Sequence, residues 1–354
     1  MSRPDTIWYA RCGVPTTSGV AQHFRWLHQE FARSGIAVES IRASDDPRVR
    51  ISHFDHNVPN SFREGGNVPP LWARGNGQDT VLVGITWVDE EQLILVRDDS
   101  PIRSVDQLRG ARLGLPRRDG GIVDVGRAQD LRGLLTALRI AGIGRDDVTF
   151  VDLPRAGGPD LRENRDRASL GDRISEIAQS LLDGTTDAIY AKGAFSATLI
   201  ERHGFRPILD INQQEDPFLR VNAGTPRPIT VSGDLARSHP EIVARYLAIL
   251  QKTAEWARAH PAEVVNAVAA ETGATEAAVR RGFGPKLHER FSVSLSPLYV
   301  EGLRQQKAFL VQEGFIADFD FDAWIDEAPL KLAEDIVPSI SLDVGAPLAA
   351  TAAA

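Results

Sequence analysis

Cys12 is the only cysteine of the 354-residue chain, and it stands in the run Tyr9-Ala-Arg-Cys-Gly-Val-Pro15. Farther along, Ser52 to Pro70 supplies the imidazole of His53, the guanidinium of Arg63 and the glycine pair Gly65-Gly66. A thiol becomes a nucleophile when a base takes its proton or a cation stabilises the thiolate. A guanidinium beside glycine amides suits a flat oxyanion: the planar fork matches two oxygens, and no Cβ holds the backbone away. Brought together, these residues could hold a small anion and attack it. Taken singly they are ordinary, since a lone cysteine is commonly a small buried hydrophobe. His56, just beyond His53, is the reserve base, with Asp55 between them expected to face water.

The elements around them must do the assembling. Thr6 to Ala10 reads as a first strand, which puts Cys12 at a strand's C-terminal end, where open α/β sheets place ligands. Thr16, Thr17 and Ser18 offer caps to one helix whose core stripe is Val20, Phe24, Leu27 and Phe31. His23 and His28 fall off that stripe and are expected in solvent. Ile36 to Ile41 alternates as a second strand. The density of proline, asparagine and glycine from His53 to Pro70 predicts a loop with a single helical turn.

Strands follow at Asp79–Ile85, Gln92–Arg97, Arg112–Leu115, Thr149–Leu153, Asp187–Tyr190, Arg206–Ile211 and Thr225–Val231. Helices are expected at Asp124–Ile140, Asp172–Leu182, Lys192–His203, Pro240–His260, Ala262–Ala270, Glu276–Phe283 and Pro297–Gly314. Alternation at this spacing argues a parallel, doubly wound sheet.

The bulk numbers set limits. With 42% hydrophobic and 25% charged residues the chain can fill the cores of two lobes. A net charge of −8 argues against nucleic acid as a partner, since phosphate binding needs a concentrated positive face. No apolar run reaches the roughly 20 residues of a membrane helix. The N-terminus lacks the order of an export signal, and one cysteine forms no internal disulfide, so a cytoplasmic protein is expected. A monomer is expected, with no cofactor and no metal. The alanine-rich end, 343–354, is expected to be a frayed tail.

The segment Asp98-Asp-Ser-Pro-Ile-Arg-Ser-Val-Asp-Gln-Leu-Arg-Gly-Ala-Arg-Leu-Gly-Leu115 resembles the interlobe crossing of type II periplasmic-binding-protein folds, in the subgroup for nitrate, sulfonates, taurine and thiamin precursors. That resemblance implies a two-lobe α/β fold, each lobe a doubly wound sheet flanked by helices, with a helical C-terminal extension. Lobe I takes 1–97 and 213–342, and lobe II takes 98–212. Two crossings make hinge closure the expected motion.

Tyr9-x-x-Cys12-x-Val14-Pro15, then His53-Phe54, Pro59, Arg63, Gly65-Gly66 and Pro69-Pro70, is similar to the active-site framework of the bacterial hydroxybiphenyl sulfinate desulfinase family. Weaker likenesses continue through Val96–Ile102, Asp146–Val148, Asp187–Tyr190, Trp256–Arg258 and Gly282–Gly284. The resemblance implies a cofactor-free desulfinase that breaks a carbon–sulfur bond and releases sulfite. Cys12, His53 and Arg63 would be its catalytic residues, and the amide of Gly66, with Gly65 and Phe54, would help hold the substrate.

This sequence departs from the family where tryptophans would line the second lobe: Gln129 and Lys192 stand there. Losing flat aromatic walls removes stacking area. A smaller or more polar substrate is therefore expected, with a second anionic group near Lys192 or Arg127. Two routes remain open: Cys12 attacks the sulfinate sulfur, or it delivers a proton to the carbon bearing sulfur. The competing reading is a solute-binding protein for sulfonate-like anions, which would not need Cys12. A pyrimidine-precursor synthase of the same superfamily would require iron-ligating cysteines, and one cysteine argues against it.

Overall fold

The computed structural model describes residues 3–10, 12–155 and 176–342. The first lobe is built on β1 (Thr6–Ala10), β2 (Ala37–Ser40), β3 (Ser61–Glu64) and β4 (Thr80–Thr86), joined by β10 (Arg227–Ser232) in the order β2-β1-β3-β10-β4. In the second lobe β5 (Gln92–Val96) lies between β8 (Ile189–Lys192) and β9 (Arg206–Asp210). Beside them β6 (Arg112–Arg118) pairs in parallel with β7 (Thr149–Arg155), and a bridge from Leu113 to Ala188 links the two groups. The architecture is the expected two-lobe α/β fold.

Its sheets are mixed rather than purely parallel. β1 pairs in parallel with β2 and β3, but β10 runs against β3 and β4, and β5 runs against β8 and β9. Both reversed strands lie next to a crossing between lobes, so each enters its sheet from the opposite end. β5 also moves the boundary. Gln92–Val96 was expected inside lobe I, within 1–97, yet its hydrogen-bonded neighbours are strands of the second sheet.

Two local expectations are corrected. The single helix through Val20 and Phe31 is two, Thr17–His23 and Trp26–Ala32, because Arg25 takes a left-handed φ of 61° between them. The apolar spacing survives the break, since all four stripe residues enter one core. The presumed loop from His53 to Pro70 holds a helical turn at Ser52–Asp55, the central strand β3, and the start of a helix at Val68–Gly75. His23 and His28, expected in solvent, are half-buried. The expected helix at Asp172–Leu182 is described only over 176–182, and the tail 343–354 lies outside the described residues.

One hydrophobic core crosses both lobes. Val68, Leu71 and Leu82 from the first lobe join Ile94, Leu113 and Leu134 from the second, with Leu303, Leu310 and Trp324 from the C-terminal region packed among them. The helix Pro297–Gln312 touches lobe II directly, where Arg132 lies over the Phe309 ring. On the other side Ala194 and Ala197 of Gly193–His203 enter the core that contains Ala278 and Phe283 of Glu276–Phe283. Apolar burial at roughly 25 cal/mol per Å2 holds these junctions.

Candidate active site

β3 supplies the centre of the site. Alternation along a strand sends Phe62 to one face, where its ring stacks on Tyr246 of helix Pro240–Ala259 at 3.9 Å and 4°, and sends Arg63 to the other. With β1 on one side and β10 on the other, the backbone of Arg63 is hydrogen-bonded into the middle of the sheet. Arg63 is 4% exposed, and its guanidinium donates from Nη2 to Cys12 Sγ at 3.3 Å.

Cys12 follows β1 directly and is partly exposed. His53, on the turn Ser52–Asp55, brings Nε2 to 3.9 Å from the same sulfur. The Phe54 ring stands edge-on to the His53 imidazole at 5.0 Å. Burial, and then the positive charges of Arg63 and Arg42, push the His53 pKa well below 6.5. His56 is lowered likewise, by burial first and Arg63 second. Both imidazoles are therefore neutral at neutral pH, and an uncharged His53 has a lone pair to offer the thiol.

The glycines are placed by contact. A side chain at Gly65 would collide with Cβ and Sγ of Cys12, so only glycine lets the strand end pass against the thiol. A Cβ on Gly66 would stand 2.9 Å from the Ala223 carbonyl oxygen. Asn67 fastens this stretch to the returning chain: its amide donates to Ala223 O, and Nδ2 donates to the carbonyls of Asn222 and Pro226.

Glu64 went unnoticed in the sequence. It is 1% exposed and accepts the amides of Thr17 and Ser18 and the Thr86 hydroxyl. It therefore anchors the segment after Cys12 to the strand carrying Arg63. The Gly13 amide is tied to Glu271 at 3.2 Å. No local pattern signals either partner, because each lies far along the chain.

Cys12, His53, Arg63 and Gly65 thus converge. The expected second-lobe contacts have partners of their own. Lys192 is 9% exposed and its ammonium lies 2.8 Å from Glu90, which also faces Arg227 Nη2 at 3.8 Å. Arg127 pairs with Asp152 at 2.7 Å, and Gln129 donates to Asp130. A second substrate anion at Lys192 or Arg127 would have to compete with carboxylates already there.

The chain and its fold have known counterparts. No family model matches the chain. It is similar over nearly its whole length to 2'-hydroxybiphenyl-2-sulfinate desulfinase. The enzymes of that name from Rhodococcus erythropolis and Rhodococcus qingshengii are each 26% identical over 351 residues, covering 90% of this chain and 91% of theirs. A crystal structure of a cysteine-to-serine mutant of DszB in complex with biphenyl-2-sulfinic acid superimposes with a TM-score of 0.76 at 26% identity. That match covers 93% of this chain and 99% of the other. The aliphatic sulphonate binding protein SsuA of Escherichia coli shares the fold, with a TM-score of 0.65 at 16% identity over 92% of this chain and 93% of its own.

Proposed function

We propose that this protein is a cofactor-free desulfinase that cleaves the carbon–sulfur bond of an organic sulfinate and releases sulfite. The observation that carries the reading is the bracketing of Cys12 Sγ by the Arg63 guanidinium at 3.3 Å and the His53 imidazole at 3.9 Å. A carrier that only closes on its ligand has no use for a thiol between a cation and a neutral base. The 26% identity to the desulfinase over 90% of the chain supports the same conclusion.

The residues support the following course. Arg63 takes the two sulfinate oxygens through paired N–H bonds, which brings the sulfinate sulfur beside the thiol that the same guanidinium touches. His53 accepts the thiol proton and Cys12 attacks sulfur. The carbon–sulfur bond breaks, the carbon takes the proton held by His53, and SO2 remains on Cys12. Water then adds to that sulfur, giving hydrogen sulfite and restoring the thiol. Overall a sulfinate and water yield the desulfurised compound and hydrogen sulfite, with no oxidant or reductant. The substrate is a single organic anion, since Lys192 and Arg127 are already paired.

The deciding experiment offers the purified protein a series of aryl and alkyl sulfinates and measures sulfite, with Cys12→Ser as control. Sulfite release that depends on Cys12 is expected, and a quenched reaction should show Cys12 heavier by one SO2. Tight binding of sulfonates with no sulfite from any sulfinate would favour the solute-binding reading.

A further inference from the structure

Behind Arg63 the first sheet encloses a cavity of about 10 Å3, whose lining includes Ser52, His56, Ser61, Arg63, Thr230 and Ser232. That is room for one water. Its place follows from the register: Arg63 lies opposite Thr230 in the antiparallel β3–β10 pair, and side chains of opposed residues share a face of the sheet.

The guanidinium divides its donors between two directions. Nη2 donates to Cys12, and Nη1 lies 3.8 Å from where a Gly65 Cβ would stand, so the terminal edge faces the thiol. Nε, on the stem, and Nη1, on the terminal edge, are both buried without a hydrogen-bond partner. His56 Nε2 and Thr230 Oγ1 are also buried without partners. The three serine hydroxyls of the lining are engaged, Ser52 with the Val58 amide, Ser61 with the Val58 carbonyl and Ser232 with the Ser61 amide. Arg63 Nε, His56 Nε2 and Thr230 Oγ1 thus lack partners on residues that line one water-sized chamber, and a single water there would satisfy all three. His56 is, moreover, held at a left-handed φ of 55°, a conformation that persists only where its surroundings fix it.

We infer that one water in this cavity joins Arg63 Nε–H to His56 Nε2 and Thr230 Oγ1, making His56 and Thr230 positioning residues that lock the anion clamp from behind. The water accepts from the guanidinium and donates to the imidazole and the hydroxyl, which gives it the three hydrogen bonds typical of a buried water. Burial and the charge of Arg63 keep His56 neutral, so one ring nitrogen carries a lone pair, and the inferred bond requires the tautomer that leaves it on Nε2. The inference rests on the desulfinase reading for the identity of the anion that the clamp holds.

The test uses two readouts, one of which needs no substrate. Benzenesulfonate, a stand-in that does not react, reports the clamp, and alkylation by iodoacetamide reports the contact between Arg63 and the sole cysteine. Thr230→Val removes the hydroxyl at nearly constant volume, and Thr230→Ser keeps it. Thr230→Val should weaken benzenesulfonate about tenfold and slow alkylation severalfold in a protein that still folds. Thr230→Ser should restore both, and in an Arg63→Ala background Thr230→Val should change neither. His56→Leu should reproduce the valine variant, while His56→Gln, whose amide oxygen reaches about as far as Nε2, should not. Wild-type behaviour of both Thr230→Val and His56→Leu would overturn the inference, as would additive losses in the Arg63→Ala background. Failure of the wild type to bind benzenesulfonate would count against the desulfinase reading alone, with the alkylation series still deciding the role of Thr230 and His56.

Discussion

The guanidinium of Arg63 donates to the sulfur of Cys12 across 3.3 Å, although the two residues are 51 positions apart, one on β3 and the other just past the end of β1. A buried cation touching a thiol is a pairing that transport of an anion does not require. From it and its neighbours the following outcomes are expected.

Replacing Cys12 by serine should abolish sulfite release while anion binding, measured by calorimetry, stays within about threefold, because Arg63 and the glycines remain. A serine variant with measurable turnover would remove Cys12 from the role of nucleophile.

Arg63→Ala should weaken a sulfonate or sulfinate by about 3 kcal/mol, on the order of a hundredfold in Kd. Arg63→Lys should recover only part of this, since an ammonium cannot make the paired contact. Equal affinities for wild type and alanine variant would show that the anion sits elsewhere.

Gly65→Ala should fold yet lose roughly a hundredfold in turnover, because the new methyl must push Cys12 away from Arg63. Alkylation of Cys12 would register the displacement independently, and an unaltered rate would mean that the strand end had yielded instead.

Acid should destabilise the protein before its carboxylates titrate. His53 and His56 both have folded pKa values well below the 6.5 of the unfolded chain. Their contribution is therefore whole above pH 6.5 and is lost as pH falls, because the unfolded chain gains protons that the folded one refuses. The slope should approach about 1.4 kcal/mol per pH unit for each histidine. Urea midpoints between pH 8 and pH 5 would reveal it, and the double change His53→Gln with His56→Asn should flatten the profile.

Glu90→Gln should cost about 3–5 kcal/mol, because it strips a buried partner from Lys192 and leaves Arg227 facing a neutral amide. The same change takes one carboxylate away from Lys192, so affinity for carboxylate-bearing sulfonates should rise relative to benzenesulfonate. A ratio that does not move would place Lys192 out of reach of the ligand.

Much of this could be read from the chain. Thr6–Ala10 is a strand ending just before Cys12, and Glu276–Phe283 is a helix with the bounds expected for it. β3 was missed because it is four residues long and carries Arg63 and Glu64, whose charges read as loop until their buried partners are known. β5 was assigned to the wrong lobe because a short apolar strand does not declare which sheet will receive it. Glu64, Asn67 and Glu90 act on groups distant in the chain, and no local periodicity records such pairings.

The shared core has a last consequence. Helix Pro297–Gln312 on one flank and the contact of Gly193–His203 with Glu276–Phe283 on the other rivet the halves together like a vice with its jaws set. Joined by shared apolar packing on both flanks, the two lobes should come apart on heating in a single endotherm rather than jaw by jaw.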